Sequence, residues 1–147
     1  MERLERLERL ELSAGAQRFI RTARTAHLAT ADRSGQPHVV PICFVFDGKY
    51  FYSPIDEKPK RTTKLKRLKN IRENPNVALV VDHYEDDWGK LAYVLVFGKG
   101  RVLRSGKIHR QAVKSLRRKY PQYRHMAIDD RPMIAISPKR IRIWQAE

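Results

Sequence analysis

The residues with the clearest chemical potential form a dense run of cations in the middle of the chain. Eight basic side chains and no acidic one lie in this run. They are Lys58, Lys60, Arg61, Lys64, Lys66, Arg67, Lys69 and Arg72. The run enters a segment with helical spacing that Thr62 or Thr63 could cap, and a helix N-terminus surrounded by lysine and arginine favours an anion. We predict that a subset of these cations near the helix entrance binds phosphate and that the others form a solvated helix face.

Motifs of most other enzyme classes are absent from the sequence. It has no glycine-rich dinucleotide or phosphate-binding loop and no serine-centred elbow. The five histidines show no close ligand spacing, so no metal site is expected. The single cysteine, Cys43, lies in an apolar strand pattern, which indicates a buried inert thiol and excludes a disulfide framework. Nothing in the sequence supports a hydrolase or a catalytic side chain.

The elements that position these residues alternate mainly between strands and hairpins. Helices are predicted over about 14–24, within 58–72 and over 107–120. Strands are predicted over 26–31, 38–46, 49–53, 77–84, 91–104 and 133–144, with a hairpin at Asp47-Gly48. The strand over 91–104 is broken or bulged near Gly98 and Gly100, and Pro138 lies at a bulge or an edge. This order lacks regular βαβ units and favours a small antiparallel barrel with helices on its flanks.

Composition sets further limits. The 147 residues suit one domain over 14–147, preceded by a helical extension over 1–13 with Glu-Arg-Leu repeats. This extension could pack on the body or brace a partner.

The net charge is +15, from 31 Lys and Arg against 16 Asp and Glu. This excess predicts a polyanionic partner such as nucleic acid, an acidic membrane surface or a phosphorylated small molecule. No apolar stretch approaches a membrane span and the N-terminus is charged, so a cytoplasmic protein is expected.

Three segments together resemble a known family. They are Pro37–Pro41, Phe51–Ser53 and the run from Lys58 to Leu79. These segments look like the pyridoxamine 5'-phosphate oxidase-like flavin/deazaflavin oxidoreductases, and Val81–Trp88 is similar to the branch that uses coenzyme F420. The resemblance covers about residues 16–144. It implies a homodimer of six-stranded antiparallel split β-barrels with two cofactor clefts at the dimer interface.

The resemblance also implies a set of cofactor-binding residues. The strand residues are His38, Val39, Val40 and Pro41 near the ring, with Tyr52 and Ser53 near the ribityl or phosphate region. The phosphate-side cations are Lys58, Lys60, Arg61 and Arg67. Trp88 of a partner subunit is a candidate to wall the ring, the alternative being a core tryptophan at a strand start. The C-terminal Arg/His signature of the classical oxidase is not visible in Ile134–Trp144, so oxidation of pyridoxamine phosphate is not expected.

A redox enzyme whose cofactor carries the chemistry is therefore the leading hypothesis, with a small organic substrate that the sequence does not identify. F420 is favoured over FMN because its polyglutamate tail adds negative charges. No acidic residue occurs between Trp88 and Ile128, whereas eleven cations do, with Arg101, Arg104 and Lys107 leading into the basic helix. Alternatives are a basic nucleic-acid-binding protein, for which no motif is present, and a haem-binding or cofactor-storing barrel.

Overall fold

The structure is a computed structural model that describes residues 2–3, 12–56 and 65–146. The strands are β1 Glu2–Arg3, β2 Ala26–Ala31, β3 Pro37–Ile42, β4 Val45–Phe46, β5 Phe51–Pro54, β6 Asn76–His83, β7 Ala92–Leu103 and β8 Met133–Gln145. The helices are α1 Ala14–Thr22, α2 Lys66–Glu73 and α3 Lys107–Lys119. Short 3₁₀ turns occupy Trp88–Lys90, Pro121–His125 and Ile128–Asp130.

The strands form one antiparallel sheet that curls until its two edges meet. Its order is β3-β2-β6-β7-β8-β5-β4, and β1 pairs with β8 outside this path. β3 and β4 are the opposite ends of that order, yet only Cys43 and Phe44 separate them along the chain. Because three extended residue steps span at most about 11 Å, the two edges must lie close together. The predicted antiparallel split barrel with flanking helices is confirmed.

The strand count and some boundaries differ from expectation. Among the described residues, six strands have four or more residues, as predicted, and β1 and β4 add two strands of two residues each. The predicted strand over 38–46 divides into β3 and β4 because the chain crosses the split of the barrel at Cys43 and Phe44. Glu2–Arg3 pairs with β8 and is not helical, so the helical extension is wrong at these two residues. The other Glu-Arg-Leu repeats lie outside the described residues.

Side chains from the end of α3 satisfy the backbone at this split, which we call the seam. The N–H of Phe44 donates to the Tyr120 hydroxyl (3.1 Å), and Lys119 Nζ donates to the Phe44 carbonyl (3.0 Å). The Tyr120 hydroxyl donates in turn to the Arg24 carbonyl (2.8 Å). Since a buried unpaired backbone group is costly, Lys119 and Tyr120 replace the ladder partners that Phe44 lacks.

Two apolar clusters fill the molecule, one inside the barrel and one beneath α3. Successive side chains of β5 point into different clusters: Phe51 packs inside the barrel, and Tyr52 faces α3. The buried positions of α3 recur at helical spacing. They are His109, Ala112, Val113 and Leu116. Ala112, Val113 and Leu116 form the apolar inward face of this helix, whereas Ile108 is exposed.

The long β7–β8 hairpin carries the predicted irregularity. β7 is one strand whose register shifts between Phe97 and Gly98, and Pro138 lies opposite Gly98. A side chain at Gly98 would collide with the carbonyl oxygen of Ser137. Glycine is needed here because the two backbones approach too closely for a Cβ atom. A single bulged strand, one of the two alternatives, is therefore correct.

Candidate functional site

Strand β3, which carries four of the predicted site residues, lies at the edge of the sheet beside the seam. Val39 and Pro41 point outward and are exposed, whereas His38 and Val40 are half-buried. His38 lies opposite Thr30 in the β2–β3 register. Its Nδ1 atom is buried and has no hydrogen-bond partner among the described residues. A buried ring nitrogen without a partner is costly, so this atom can accept or donate a bond to a bound group.

Helix α2 lies against the same part of the sheet. Asn70 Nδ2 donates to the hydroxyl of Thr30 (3.0 Å), which is the residue opposite His38. Arg67, one turn earlier, is only 7% exposed. The helix begins at Lys66 after Leu65, which provides no side-chain cap. The N-terminal end of α2, with Lys66 and Arg67 in its first turn, is therefore suited to an anion.

Burial sets Arg67 apart from the other described cations of the run. A run of eight cations favoured a mostly solvated face, but Arg67 faces inward on α2 together with Leu68 and Ile71. Lys66, which was not singled out, stands next to Arg67 and lies 3.7 Å from Asp32. Backbone N–H groups of Gln36 and Ser34, with Lys66, hold the pKa of Asp32 below its ordinary value. The predicted phosphate-binding residues Lys58, Lys60 and Arg61, and the predicted caps Thr62 and Thr63, lie outside the described residues.

On β5, the two predicted site residues have different surroundings. Ser53 is 2% exposed, and its hydroxyl donates to the Cys43 carbonyl (2.8 Å) across the seam. Tyr52 points to the opposite face, where burial raises the pKa of its phenol. The Ser53 hydroxyl therefore fastens the seam, while Tyr52 faces a groove.

This groove lies between the β4–β5 hairpin and α3 and has a volume of ≈ 570 Å³. Its hairpin side is lined by Val45, Phe46, Asp47, Tyr50 and Tyr52, and its helix side by Ile108, Gln111, Ala112, Lys114, Ser115 and Arg118. Pockets of 300–1,000 Å³ commonly hold organic ligands. Sequence reasoning missed the groove because its two walls lie far apart along the chain and no local sequence pattern connects them.

Trp88 lies in the β6–β7 connection, remote in sequence from β3 and β5. It is 68% exposed, and its indole N–H points to the hydroxyl of Tyr84 (3.5 Å), which is also exposed. The alternative of a core tryptophan is therefore wrong. Exposed aromatic side chains of this size are typical of contact surfaces.

The predicted residues thus fall into separate groups within the described structure. His38 and Arg67 belong to the polar region around Thr30, Tyr52 belongs to the groove, and Trp88 stands on an exposed turn. Within residues 12–56 and 65–146 no three His, Cys, Asp or Glu side chains are grouped to hold a metal. None of the helices in these ranges is both long and apolar enough to cross a membrane.

The chain is similar to proteins of a known family. A family profile described as pyridoxamine 5'-phosphate oxidase matches residues 12–145, which include all of the strands from β2 to β8. A curated relative from Streptomyces rimosus is 27% identical over 130 residues, covering 88% of this chain and 80% of its own. That relative is a 5a,11a-dehydrotetracycline/5a,11a-dehydrooxytetracycline reductase.

Solved structures show the same fold. A FAD-binding protein from Mesorhizobium loti is 24% identical with a TM-score of 0.68, over 92% of this chain and 96% of its own. A protein described as F420 reductase is 23% identical with a TM-score of 0.64, over 88% of this chain and 98% of its own. At these identities the likeness concerns the fold.

Proposed function

The chain belongs to the pyridoxamine 5'-phosphate oxidase family, and we propose that it is an oxidoreductase using coenzyme F420 to transfer hydride to or from a small organic substrate. FMN in the same cleft is the alternative cofactor. The observation that carries the proposal is the extent of the family match, because residues 12–145 contain every residue expected to contact the cofactor. The functions of similar proteins support it: one is a reductase, one an F420 reductase and one a FAD-binding protein.

The described residues fit a phosphorylated flavin-type cofactor. The Nδ1 atom of His38 and helix α2 lie on neighbouring parts of the barrel, linked through Thr30 and Asn70. Arg67 and the N-terminal end of α2 would hold the phosphate, and the exposed edge of β3 would lie along the ring. When bound, the cofactor supplies the hydride chemistry, and the chain binds it, orients it and excludes water.

Charge supports F420 over FMN. Arg101, Arg104 and Lys107 are all exposed and lead from β7 into α3, in the stretch without acidic residues. Such a surface suits a polyglutamate tail, since several weak contacts to carboxylates add together. FMN has a single phosphate and would leave these cations unused.

Cofactor titration tests the proposal. We expect both F420 and FMN to bind the purified chain with saturable fluorescence changes, because both would occupy the same ring cleft and first phosphate region. A short duplex DNA at physiological salt should not be retained in a gel-shift assay. Retention of DNA without binding of either cofactor would instead make the chain a nucleic-acid-binding protein.

We also propose a homodimer in which Trp88 of each subunit reaches the cofactor of the other. The exposure of Trp88 and Tyr84 supports a contact surface at this turn. Light scattering should give about twice 17.3 kDa at micromolar concentrations. A Trp88→Ala variant should bind cofactor more weakly, and a mass of one chain across this range would refute the dimer.

A further inference from the structure

We propose that the groove between the β4–β5 hairpin and α3 is the substrate site and selects flat aromatic molecules that carry one anionic group. That the bound molecule is the substrate rests on the proposed function. The preference for a flat anion rests on the groove lining alone.

The walls of the groove suit an aromatic ring system. The rings of Tyr50 and Tyr52 lie on one side, with centroids 6.4 Å apart and planes inclined by 59°. Val45 adds apolar surface on the hairpin, and Ile108 and Ala112 add it on the helix. Ile108 is 44% exposed, so its contact with water would be removed by an occupant. These groups offer broad contact area with little conformational entropy to lose.

One rim of the groove is cationic. Lys114 and Arg118 are one turn apart on α3 and both are exposed, so they lie on the same side of the helix. Arg118 Nη2 donates to Ser115 Oγ (3.2 Å), which holds its guanidinium near the groove. Lys114 makes no hydrogen bond or ion pair with any described residue. A carboxylate or sulfonate between them would receive charge-assisted hydrogen bonds.

The hairpin rim has the opposite polarity. Asp47 accepts hydrogen bonds at Oδ1 from the N–H groups of Lys49 (2.9 Å) and Tyr50 (2.7 Å), so its carboxylate is fixed at the turn. Its charge would repel a second anionic group and would accept a hydroxyl or N–H. Tyr52, whose pKa burial raises, keeps a phenol proton to donate. The groove therefore orients a molecule with its single anion towards α3.

The position of the groove connects it to the cofactor. Tyr52 lines the groove and also belongs to the residues expected to contact the cofactor. Val45, at the start of the same wall, follows β3 after only Cys43 and Phe44. The groove wall therefore begins within three residues of the proposed cofactor strand, which supports a substrate bound near the cofactor.

Matched probes test the selectivity directly. Naphthalene-2-carboxylate and naphthalene-2-carboxamide have the same shape and differ in charge. We expect the carboxylate to bind the cofactor-free full chain roughly tenfold more tightly, as one charge-assisted hydrogen bond provides. Amide NMR signals of Gln111, Ala112 and Ser115 should shift on binding. The Lys114→Gln/Arg118→Gln variant should bind both probes equally.

A control variant separates this effect from overall charge. Arg110 on the same helix and Lys139 on β8 are both exposed and do not line the groove, so Arg110→Gln/Lys139→Gln has the same net charge as the first variant and should retain the tenfold preference. Thermal melting would verify that both variants are folded. Equal binding of the two probes to the unaltered chain would overturn the proposal. The proposal would also be overturned if the preference survived loss of Lys114 and Arg118. NMR signal shifts confined to other parts of the molecule, or failure of both probes to bind in the groove, would overturn it as well.

Titrating the same preparations with F420 and FMN distinguishes the two proposals. A chain that prefers the carboxylate in the groove but binds neither cofactor would retain the site and lose the oxidoreductase assignment. A chain that binds a cofactor but shows no preference between the probes would keep the oxidoreductase assignment and lose the proposed groove site.

Discussion

Arg67 combines a positive charge with near-complete burial in the first turn of α2. The neighbouring helix N-terminus favours an anion beside this guanidinium. We therefore propose Arg67 as the central phosphate-binding residue among those the structure describes. Of the other cations of the run, Lys66, Lys69 and Arg72 belong to α2, and the rest lie outside the described residues.

Replacing Arg67 should separate binding from ordinary surface charge. Arg67→Gln should weaken the affinity for either cofactor by roughly tenfold or more, the effect of losing a charged hydrogen bond. The matched control is Lys69→Gln, because the Lys69 side chain is 62% exposed and pairs with Glu73 at 3.8 Å on the same helix. Fluorescence titration of Lys69→Gln should give a cofactor affinity within about twofold of that of the unaltered chain. Equal affinities for all three proteins would show that the phosphate lies elsewhere.

At the scale of elements, the seam between β3 and β4 is the most unusual feature. Lys119 binds the Phe44 carbonyl and lies 4.0 Å from the centre of the Phe44 ring. Burial, with a smaller effect from nearby Arg24, lowers the pKa of Lys119 to about 8. The desolvation cost of the ammonium group therefore exceeds the stabilisation that the carbonyl and ring give it.

This lowered pKa predicts how stability changes with pH. The unfolded chain keeps the Lys119 proton up to about pH 10.5, whereas the folded chain loses it near pH 8. Between these values the unfolded state binds more protons, so Lys119 makes the free energy of unfolding rise with pH. Urea unfolding at about pH 8 and 9.5 should show this rise, which Lys119→Met should reduce and the exposed Lys107→Met should not. Tyr120, whose pKa burial raises to about 12, titrates mainly above this range. An identical rise in Lys119→Met would contradict the assignment.

Elements with a local pattern could be predicted from the sequence, and features made by distant segments could not. β2 was predicted at its observed bounds and α3 within one residue, because strand alternation and helical spacing are local signals. The split at Cys43 and Phe44 was missed because their residue types continue a strand pattern and only Tyr120 and Lys119 replace the missing ladder. Burial of Arg67 and the groove were missed for the same reason: each depends on how separate elements pack.

At the scale of the whole molecule, the acidic tail and the phosphate of the proposed cofactor would account for the net charge of +15. Arg101, Arg104 and Lys107 form an exposed path for an acidic tail, whereas Arg67 and α2 would hold the first phosphate in a partly buried place. Exposed contacts are screened by salt more strongly than buried ones. The Debye length falls from about 10 Å at 0.1 M to about 3 Å at 1 M ionic strength.

The most direct test of the central claim is a fluorescence titration of the chain with three ligands at low and high salt. The ligands are F420, F420 from which the glutamate tail has been removed, and FMN. We predict that intact F420 binds most tightly at low salt and that its affinity falls more steeply with salt than that of the other two, because only its tail reaches the exposed cations. Tighter binding of FMN, with a salt dependence equal to or steeper than that of F420, would contradict the account and make this an FMN protein.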